Sequence, residues 1–264
     1  MKEVFENFDI QHLSASSINT WFSNPSKWIL TYLYKYRDMA SPAAWRGTQT
    51  DNGVGKYFGM LPNQPSRKSL TTVQEEAIEG MNEMARLARE KGFEVDDVKF
   101  NKEIALVPQY IATAVEHYKG IDKPIETYQE EVYLEDPRLP IPIKGFLDLK
   151  YKDCVRDIKT TARLTSSAKI NHNLQVSMYA YVTGCKEAVI DYIYCTKYKS
   201  EVHSFTIDNI EKNVEILIRG GEAIQKFLSI SDDKNELAKI IMPDFDNWIW
   251  SGELKSEAKK IWRI

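Results

Sequence analysis

Two aspartates and a lysine lie on neighbouring predicted strands in the middle of the chain. Asp148 belongs to the first strand, and Asp157 and Lys159 belong to the next. Because side chains alternate between the two faces of a strand, Asp157 and Lys159 share a face and Ile158 points the other way. If Lys152-Asp153 forms a two-residue turn, Asp148 lies directly opposite Asp157, with Cβ atoms roughly 5 Å apart.

This arrangement has a clear chemical use. Two carboxylates at such a distance repel each other unless one is protonated or a cation lies between them. Oxygen ligands suit a hard divalent cation such as Mg²⁺ or Mn²⁺. A lysine beside the ion orients or deprotonates an attacking water and stabilises charge on a phosphate oxygen. The pattern therefore indicates metal-dependent phosphodiester hydrolysis, although a surface hairpin with scattered charges would give the same spacing.

The next predicted helix, Ser167–Thr183, adds a second group of polar residues. His172, Gln175 and Tyr179 are spaced at i, i+3 and i+7, so they share one face. The helix follows Lys159 closely enough to pack back beside the hairpin. Gln175 and Tyr179 then contact a phosphate or the surroundings of the lysine. The alternative is that Tyr179 is a core aromatic and Gln175 faces solvent.

The surrounding elements predict an α/β fold with a mixed central sheet flanked by helices and with a helical N-terminal region. Strands are expected at Thr127–Leu134, Ile143–Tyr151, Cys154–Lys159, Ala188–Thr196 and Glu201–Ile207. Further helices are expected from Ser14 or Ser16, near Trp45, and over about Thr72–Lys91, Lys102–Tyr118, Asp208–Phe227 and Glu253–Trp262. We expect a single domain over residues 1–264, with a mainly helical part (1–120), an αβ core (121–230) and a C-terminal helical segment (231–264).

Charge is distributed unevenly along the chain. The net charge is −3, yet residues 70–136 carry 16 acidic against 7 basic residues, and residues 144–169 carry 7 basic against 3 acidic. The basic excess surrounds the two aspartates and would neutralise phosphates, with Lys152 and Arg163 as the preferred contacts. A solvated surface can carry the same pattern by chance.

Cysteines and hydropathy bear on location. Cys154, Cys185 and Cys195 show no CxxC spacing, so we expect three reduced thiols packed as small apolar groups. The sequence shows neither a secretory signal nor a stretch long enough to span a membrane. We expect a cytoplasmic protein, in a bacterial cell or a phage-infected host, without a membrane partner.

The order of these motifs resembles a known family. Gly145-x-x-Asp148, Asp157-x-Lys159 and Gln175-x-x-x-Tyr179 resemble motif II, motif III and the QxxxY motif of the RecB/AddB-type branch of PD-(D/E)XK nucleases. Leu13–Pro25 is similar to the opening segment of that branch, and Arg46-Gly47-Thr48 to its RGT stretch. The resemblance covers about residues 13–182. It implies a restriction-endonuclease-like fold and divalent-metal-dependent cleavage of DNA.

The resemblance also implies roles for individual residues. The implied catalytic residues are Asp148, Asp157, Lys159, Gln175 and Tyr179. The implied metal ligands are Asp148, Asp157 and the backbone carbonyl of Ile158, with Asp51 and one of Glu130 or Glu131 as further candidates. Asp51 stands where the family usually has a histidine, and a solvated acid is the alternative for it and for both glutamates. The implied DNA contacts are Arg46, Lys152, Arg163 and His172.

Iron–sulfur members of this branch carry a cysteine before the N-terminal proline and three near the C-terminus. Here the first position is Asn24, and residues 242–264 contain no cysteine. A cluster needs thiolate ligands, so the resemblance predicts Mg²⁺ or Mn²⁺ as the cofactor and no iron–sulfur cluster. Trp248, Trp250 and Trp262 are expected to pack where the cluster would otherwise hold the terminus.

The function expected from these features is that of an exonuclease in recombination, repair or phage DNA processing. Its partners would be DNA and a recombination or single-strand-annealing protein. A single-strand or structure-selective endonuclease is the first alternative. A non-catalytic DNA-binding subunit is the second, although such a subunit has no chemical reason to keep Asp148, Asp157 and Lys159 together. The sequence has no Gly-rich phosphate loop of the kind GxxxxGK[ST] to support a nucleotide-binding protein.

Overall fold

The computed structural model describes residues 3–61, 64–247, 250 and 252–263. These residues form two compact units. The first unit comprises residues 1–38, 131–145 and 209–264, and the second comprises residues 39–130 and 146–208. Apart from Glu131, every residue to which the sequence assigns a chemical role belongs to the second unit. The expected single-domain organisation stays a prediction.

Helices dominate both ends of the chain, and the strands lie between them. In chain order the elements are α1 (Glu3–Glu6), α2 (Ala15–Ser23), α3 (Pro25–Tyr32), α4 (Pro42–Phe58), α5 (Leu70–Glu90), α6 (Asp97–Lys119), β1 (Thr127–Leu134), β2 (Ile143–Lys150), β3 (Cys154–Thr161), α7 (Ile170–Thr183), β4 (Glu187–Cys195), β5 (Ser200–Thr206), α8 (Ile210–Leu228), α9 (Lys234–Ile240) and α10 (Gly252–Trp262). The short helices α1 and α9 were not expected from the sequence.

The strands form one mixed sheet in the order β1-β2-β3-β4-β5. β2 and β3 are antiparallel, β3 and β4 are parallel, and β4 and β5 are antiparallel. A parallel pair needs a long crossover connection, which α7 provides between β3 and β4. The helix-flanked mixed sheet confirms the predicted α/β fold.

Capping residues set where several helices begin and end. Ser41 accepts a hydrogen bond from the N–H of Ala44, so α4 begins one residue later, at Pro42. Asp96 caps α6 in the same way, accepting from the N–H of Lys99. α6 therefore begins at Asp97, ahead of the predicted Lys102. α7 begins at Ile170 rather than the predicted Ser167, and it ends at Gly184, whose φ of 70° favours glycine.

The core of the second unit lies between α4, α5 and α6 and one face of the sheet. Met81, Val107, Tyr110 and Ile111 from the helices join one cluster with residues of the strands, Ile158 among them. Ile158 is 7% exposed. Its burial in this cluster confirms that it points away from the face shared by Asp157 and Lys159.

The three cysteines are free thiols, and all three are buried, which confirms their expected packing.

In the first unit, Trp250 packs with Leu30, Leu254 and Ala258, and Trp262 lies against the same cluster. Trp248, the third expected member of this tryptophan set, lies outside the described residues. Throughout the described part of the chain, no helix has both the length and the apolarity that crossing a bilayer requires.

Candidate metal-binding and catalytic site

The β2–β3 hairpin positions Asp148 beside β3. A hydrogen bond from the N–H of Tyr151 to the carbonyl of Cys154, at 2.8 Å, closes the predicted turn at Lys152-Asp153. Backbone pairing runs through Leu149↔Arg156 and Lys150↔Val155. At the next position the Asp148 carboxylate bonds to β3, accepting from the N–H of Ile158 at 2.7 Å. Asp148 therefore contacts β3 through its side chain.

Asp157 and Lys159 form an ion pair on one face of β3, as their spacing predicts. Lys159 Nζ lies 2.5 Å from Asp157 Oδ2, and the Asp157 side chain is 1% exposed. Burial raises the pKa of Asp157, and the charge of Lys159 opposes that shift. Burial alone would lower the pKa of Lys159, but Asp157 and Asp148 outweigh it, so the net shift is upward. Lys159 is therefore a protonated ammonium at neutral pH.

Asp51 lies on α4 and is held by two residues of β1. Tyr128 Oη and Gln129 Nε2 each donate to the Asp51 carboxylate, at 2.5 Å. Gln129 reaches it from a left-handed backbone conformation, with φ at 50°. α4 approaches β1 closely because Gly55 has no Cβ, which would lie 2.6 Å from the Tyr128 ring. These contacts fix the position of the Asp51 carboxylate.

The three aspartates influence one another. Burial raises the pKa of Asp148 well above its usual range, and the charges of Asp51 and Asp157 raise it further. Burial also raises the pKa of Asp51, against the opposing hydrogen bonds from Tyr128 and Gln129. The acids therefore resist simultaneous ionisation without a further positive charge. This is the electrostatic behaviour expected of a cation site.

An open cavity of about 570 Å³ lies over these residues. Asp51, Asp148 and Lys159 line it together with groups from α4, the end of β3 and the start of α7. The polar part of the remaining lining consists of Thr48, Thr160, Thr161, Lys169, His172 and Tyr192. A substrate in this cavity reaches two carboxylates and the ammonium at once.

The three residues predicted on α7 make two separate side-chain contacts. His172 Nδ1 lies 2.7 Å from Tyr192 Oη, at the cavity wall. Burial, with Lys159 and Lys169 nearby, lowers the pKa of His172 to about 4, so the ring is neutral at pH 7. Gln175 Nε2 donates to Tyr179 Oη at 2.8 Å. Burial raises the pKa of Tyr179, and the charges of Asp157 and Asp148 add to that rise.

Two of the predicted roles need revision on geometric grounds. Glu130 accepts a hydrogen bond from Thr127 Oγ1 at 2.6 Å, and Glu131 pairs with Lys144 at 2.9 Å. The β1 side chains that contact Asp51 are Tyr128 and Gln129. The Arg46 side chain is only 4% exposed and forms an ion pair with Glu103. Its charge is therefore paired inside the fold and is not a free surface cation.

The basic excess at residues 144–169 is mostly paired internally. Lys144, Lys150, Arg156 and Lys159 form ion pairs with Glu131, Glu126, Asp191 and Asp157, respectively. Arg163 follows the end of β3, near the cavity. Lys152 lies in the turn at the other end of β3, roughly 20 Å from Lys159 at the rise of a strand.

The ligands available at this site are carboxylate oxygens, which suit a hard divalent cation, but their positions do not yet form a coordination shell. Within the described ranges, no three His, Cys, Asp or Glu side chains already converge as a metal cluster. Asp51, Asp148 and Asp157 supply carboxylate oxygens, and Asp157 Oδ2 has no hydrogen-bond partner among the described residues, although Lys159 Nζ lies within ion-pairing distance. With Lys159 protonated and all three acids ionised, the group carries a formal charge of −2, which one divalent cation balances.

Sequence reasoning missed the residues that hold the site together. Tyr128 and Gln129 orient Asp51, and Tyr192 orients His172. The alternation of β1 predicted a strand in which one of Glu130 and Glu131 faces the site. Nothing in that alternation predicts the positive φ of Gln129. Tyr192 lies in the apolar run of β4, where an aromatic residue gives no indication of a polar role.

The sheet order and the acidic site define a restriction-endonuclease-like α/β protein. A family model described as the PD-(D/E)XK nuclease superfamily matches residues 12–242, so the chain belongs to that superfamily, as its motifs predicted. No curated protein matches the chain. A solved structure, that of SSO0001, shares 12% identity over 70% of this chain and 86% of that one, with a TM-score of 0.35. That likeness is too weak to bear on the assignment.

Proposed function

We propose that this chain is a divalent-metal-dependent deoxyribonuclease that acts through Asp51, Asp148, Asp157 and Lys159. The observation that carries the proposal is the group itself. Burial raises the pKa values of Asp51, Asp148 and Asp157, and the charges of the other two acids raise that of Asp148 further. Asp51 and Asp148 line an open cavity together with the protonated Lys159. A structural ion pair needs one acid for each base. The two surplus carboxylates are the feature that a metal site requires.

Each residue has a role that its position supports. Asp148 and Asp157 would hold the cation, with Asp51 and the Ile158 carbonyl as further ligands. The cation would supply an activated water and neutralise phosphate charge. Lys159 has a long stem and a raised pKa, so it presents a fixed positive charge to a phosphate oxygen. Tyr179, which accepts a hydrogen bond from Gln175, lies close enough to Lys159 to contribute to its raised pKa.

Cleavage of labelled linear DNA in Mg²⁺ tests the proposal. Asp157→Asn and Lys159→Ala should each lose at least about 100-fold in rate, the scale of an acid–base contribution. Lys159→Ala should still bind Mg²⁺, because lysine is not a ligand. Asp153→Asn is the matched control, since it alters an exposed aspartate in the turn of the same hairpin. Full activity of folded Asp157→Asn would rule out this site.

We further propose that the chain belongs to the RecB-like branch and removes nucleotides from DNA ends during recombination, repair or phage DNA processing. Support comes from the hydrogen bond between Gln175 and Tyr179, the two fixed positions of the QxxxY motif. An exonuclease degrades linear DNA and leaves a closed circle of the same sequence intact. Equal cleavage of both forms would favour an endonuclease.

A further inference from the structure

The second unit contains another cavity besides the catalytic one, with a volume of about 540 Å³. Ala105 and Leu106 of α6, Ala162 after β3 and Cys195 at the end of β4 give it largely apolar walls. Its volume is typical of a small-molecule pocket, about 300–1,000 Å³. The proposed catalytic roles leave this cavity without a function.

Buried polar groups hold one side of this cavity rigid. The Arg46 guanidinium lies 4.4 Å from the centre of the Tyr110 ring and forms an ion pair with Glu103. Tyr110 Oη in turn donates to the carbonyl of Thr161 at 2.7 Å. Arg46 Nε has no hydrogen-bond partner among the described residues. The wall therefore combines a fixed cation with an aromatic ring.

The rim of the cavity is basic. Lys102 and Lys197 line it, and Glu103, the acid among the lining residues, is paired with Arg46. Lys197 begins the tight β4–β5 turn, where the N–H of Thr196 donates to the carbonyl of Lys199 at 2.8 Å. Tyr198, at the tip of that turn, is 88% exposed. Exposed aromatics between lysines are typical of surfaces that bind unpaired nucleic acid.

The linings of the two cavities are adjacent in the chain at the end of β3. Thr160 and Thr161 line the catalytic cavity, and Ala162 lines the second one. Arg46, from the second cavity, donates to Thr160 Oγ1 at 3.3 Å. Thr161 and Ala162 are consecutive residues, so their Cα atoms are about 3.8 Å apart. One nucleotide is longer than this distance. A strand with a phosphate in the first cavity can therefore place a neighbouring nucleotide in the second.

We propose that the second cavity is a base-binding subsite, which takes the unpaired base of a nucleotide adjacent to the cleaved phosphate. The apolar walls cover the faces of the base, and Lys102 and Lys197 bind the flanking phosphates. A base still paired in a duplex cannot enter, so the subsite selects single-stranded or frayed DNA. This inference rests on the proposed nuclease function, because the strand bound here is the substrate of that site.

Binding measured in EDTA tests the subsite without cleavage. The probes are a fluorescent single-stranded oligonucleotide and the same oligonucleotide made entirely of abasic sites. The wild-type chain should bind the normal strand on the order of tenfold more tightly than the abasic strand, because the stacking of one base contributes an affinity difference of that size. Ala105→Trp fills the cavity from an exposed position on α6 and should remove most of that preference. Ala162→Trp fills it from the opposite wall and guards against a folding artefact.

Glu116→Trp is the matched control, because it places the same side chain at an exposed position of α6 far from the cavity. It should keep the wild-type preference. Equal wild-type binding of both strands, or a preference that survives both cavity-filling variants, would overturn the subsite. A chain that prefers the normal strand but never cleaves DNA in Mg²⁺ would refute the nuclease proposal and leave the base-binding cavity supported.

Discussion

Asp148 shows how a single carboxyl group makes the stability of this chain depend on pH. Its pKa is raised by burial and by the charges of Asp51 and Asp157. Between the ordinary aspartate pKa, about 3.9, and the raised value, the native state binds more protons than the unfolded chain. The free energy of unfolding therefore falls as pH rises through that window. Without metal, the native state is more stable in mild acid than in mild base.

Asp148→Asn should stabilise the metal-free chain while it abolishes cleavage. The amide keeps an acceptor for the N–H of Ile158 and removes the charge that Asp51 and Asp157 oppose. We expect the melting temperature in EDTA at pH 8 to rise by about 2–4 °C, the shift that 1 kcal/mol gives in a chain of this size. The gain should shrink toward pH 5. Differential scanning fluorimetry measures both values, and a lower melting temperature at pH 8 would contradict the argument.

Asp51 provides a prediction about metal preference. Asp51→Asn should raise the Mg²⁺ concentration for half-maximal cleavage by at least about tenfold, the loss that even an outer-shell group gives. Asp51→His should recover activity with Mn²⁺ better than with Mg²⁺, because imidazole is a softer ligand than carboxylate. Asp122→Asn, at an exposed position between α6 and β1, serves as the control. If Asp51→Asn cleaves like the parent at limiting Mg²⁺, Asp51 is not a ligand.

At the scale of elements, a polar network behind the site joins α6, β3, β4 and β5. Asp191 is fully buried and accepts two hydrogen bonds from Arg156, each at 2.8 Å. Tyr118 and Ser204 donate to the same carboxylate, at 3.1 and 2.5 Å. Burial alone would raise the pKa of Asp191, but His117, whose Nε2 lies 3.4 Å from Oδ1, and the hydrogen bonds from Arg156 outweigh it and hold the pKa well below its usual range. The network fixes the strands that carry Asp157 and Lys159.

Asp191→Asn should destabilise the chain by about 3 kcal/mol, because it leaves Arg156 partly buried without its counter-charge. Chemical denaturation at pH 7 measures this difference. The stability that ionised Asp191 contributes is complete above the ordinary aspartate pKa and declines as pH falls toward the depressed value, so the difference should shrink below about pH 4. Ser204→Ala, which removes one hydrogen bond, should cost about 1 kcal/mol. Similar losses in both variants would mean that the charge pair is unimportant.

The sequence predicted these elements well where a short-range pattern governs them. The turn at Lys152-Asp153 and the shared face of Asp157 and Lys159 follow from hairpin geometry and from alternation along a strand. The bond from Asp148 to the N–H of Ile158 could not be predicted, because it depends on where backbone pairing of the two strands stops. The early start of α6 depends on Asp96, one of several acids near that point that might have capped a helix.

Over the whole molecule, the charge pattern of the sequence overstated the basic surface. Lys144, Lys150, Arg156 and Lys159 have acidic partners in the fold, and linear composition does not show such long-range pairing. Arg163 remains exposed beside the end of β3. We therefore propose Arg163 as the main exposed phosphate contact. The motif order, in contrast, predicted the superfamily correctly from about residues 13–182, because it records the sequence of elements around the site; the family model matches residues 12–242.

Arg163→Ala should reduce the slope of log K against log salt by about one unit, since one phosphate contact is lost. Lys152→Ala removes an exposed cation from the far end of β3 and should leave the slope unchanged. Fluorescence anisotropy with labelled DNA across a series of salt concentrations measures both slopes. A larger effect from Lys152 than from Arg163 would place the DNA path along the hairpin turn.

The Lys159–Asp157 pair also affects the order in which these two residues can be replaced if the proposed nuclease activity is lost during evolution. Replacement of Lys159 alone leaves the buried Asp157 carboxylate without its partner, at a cost of about 3–5 kcal/mol for a buried pair. Replacement of Asp157 alone leaves Lys159 beside the charges of Asp148 and Asp51. Replacement of both removes the two charges together and restores much of that stability. Loss of Lys159 before Asp157 is therefore the more destabilising order of substitution. Descendants that keep this fold for DNA binding alone should rarely retain Asp157 while lacking Lys159.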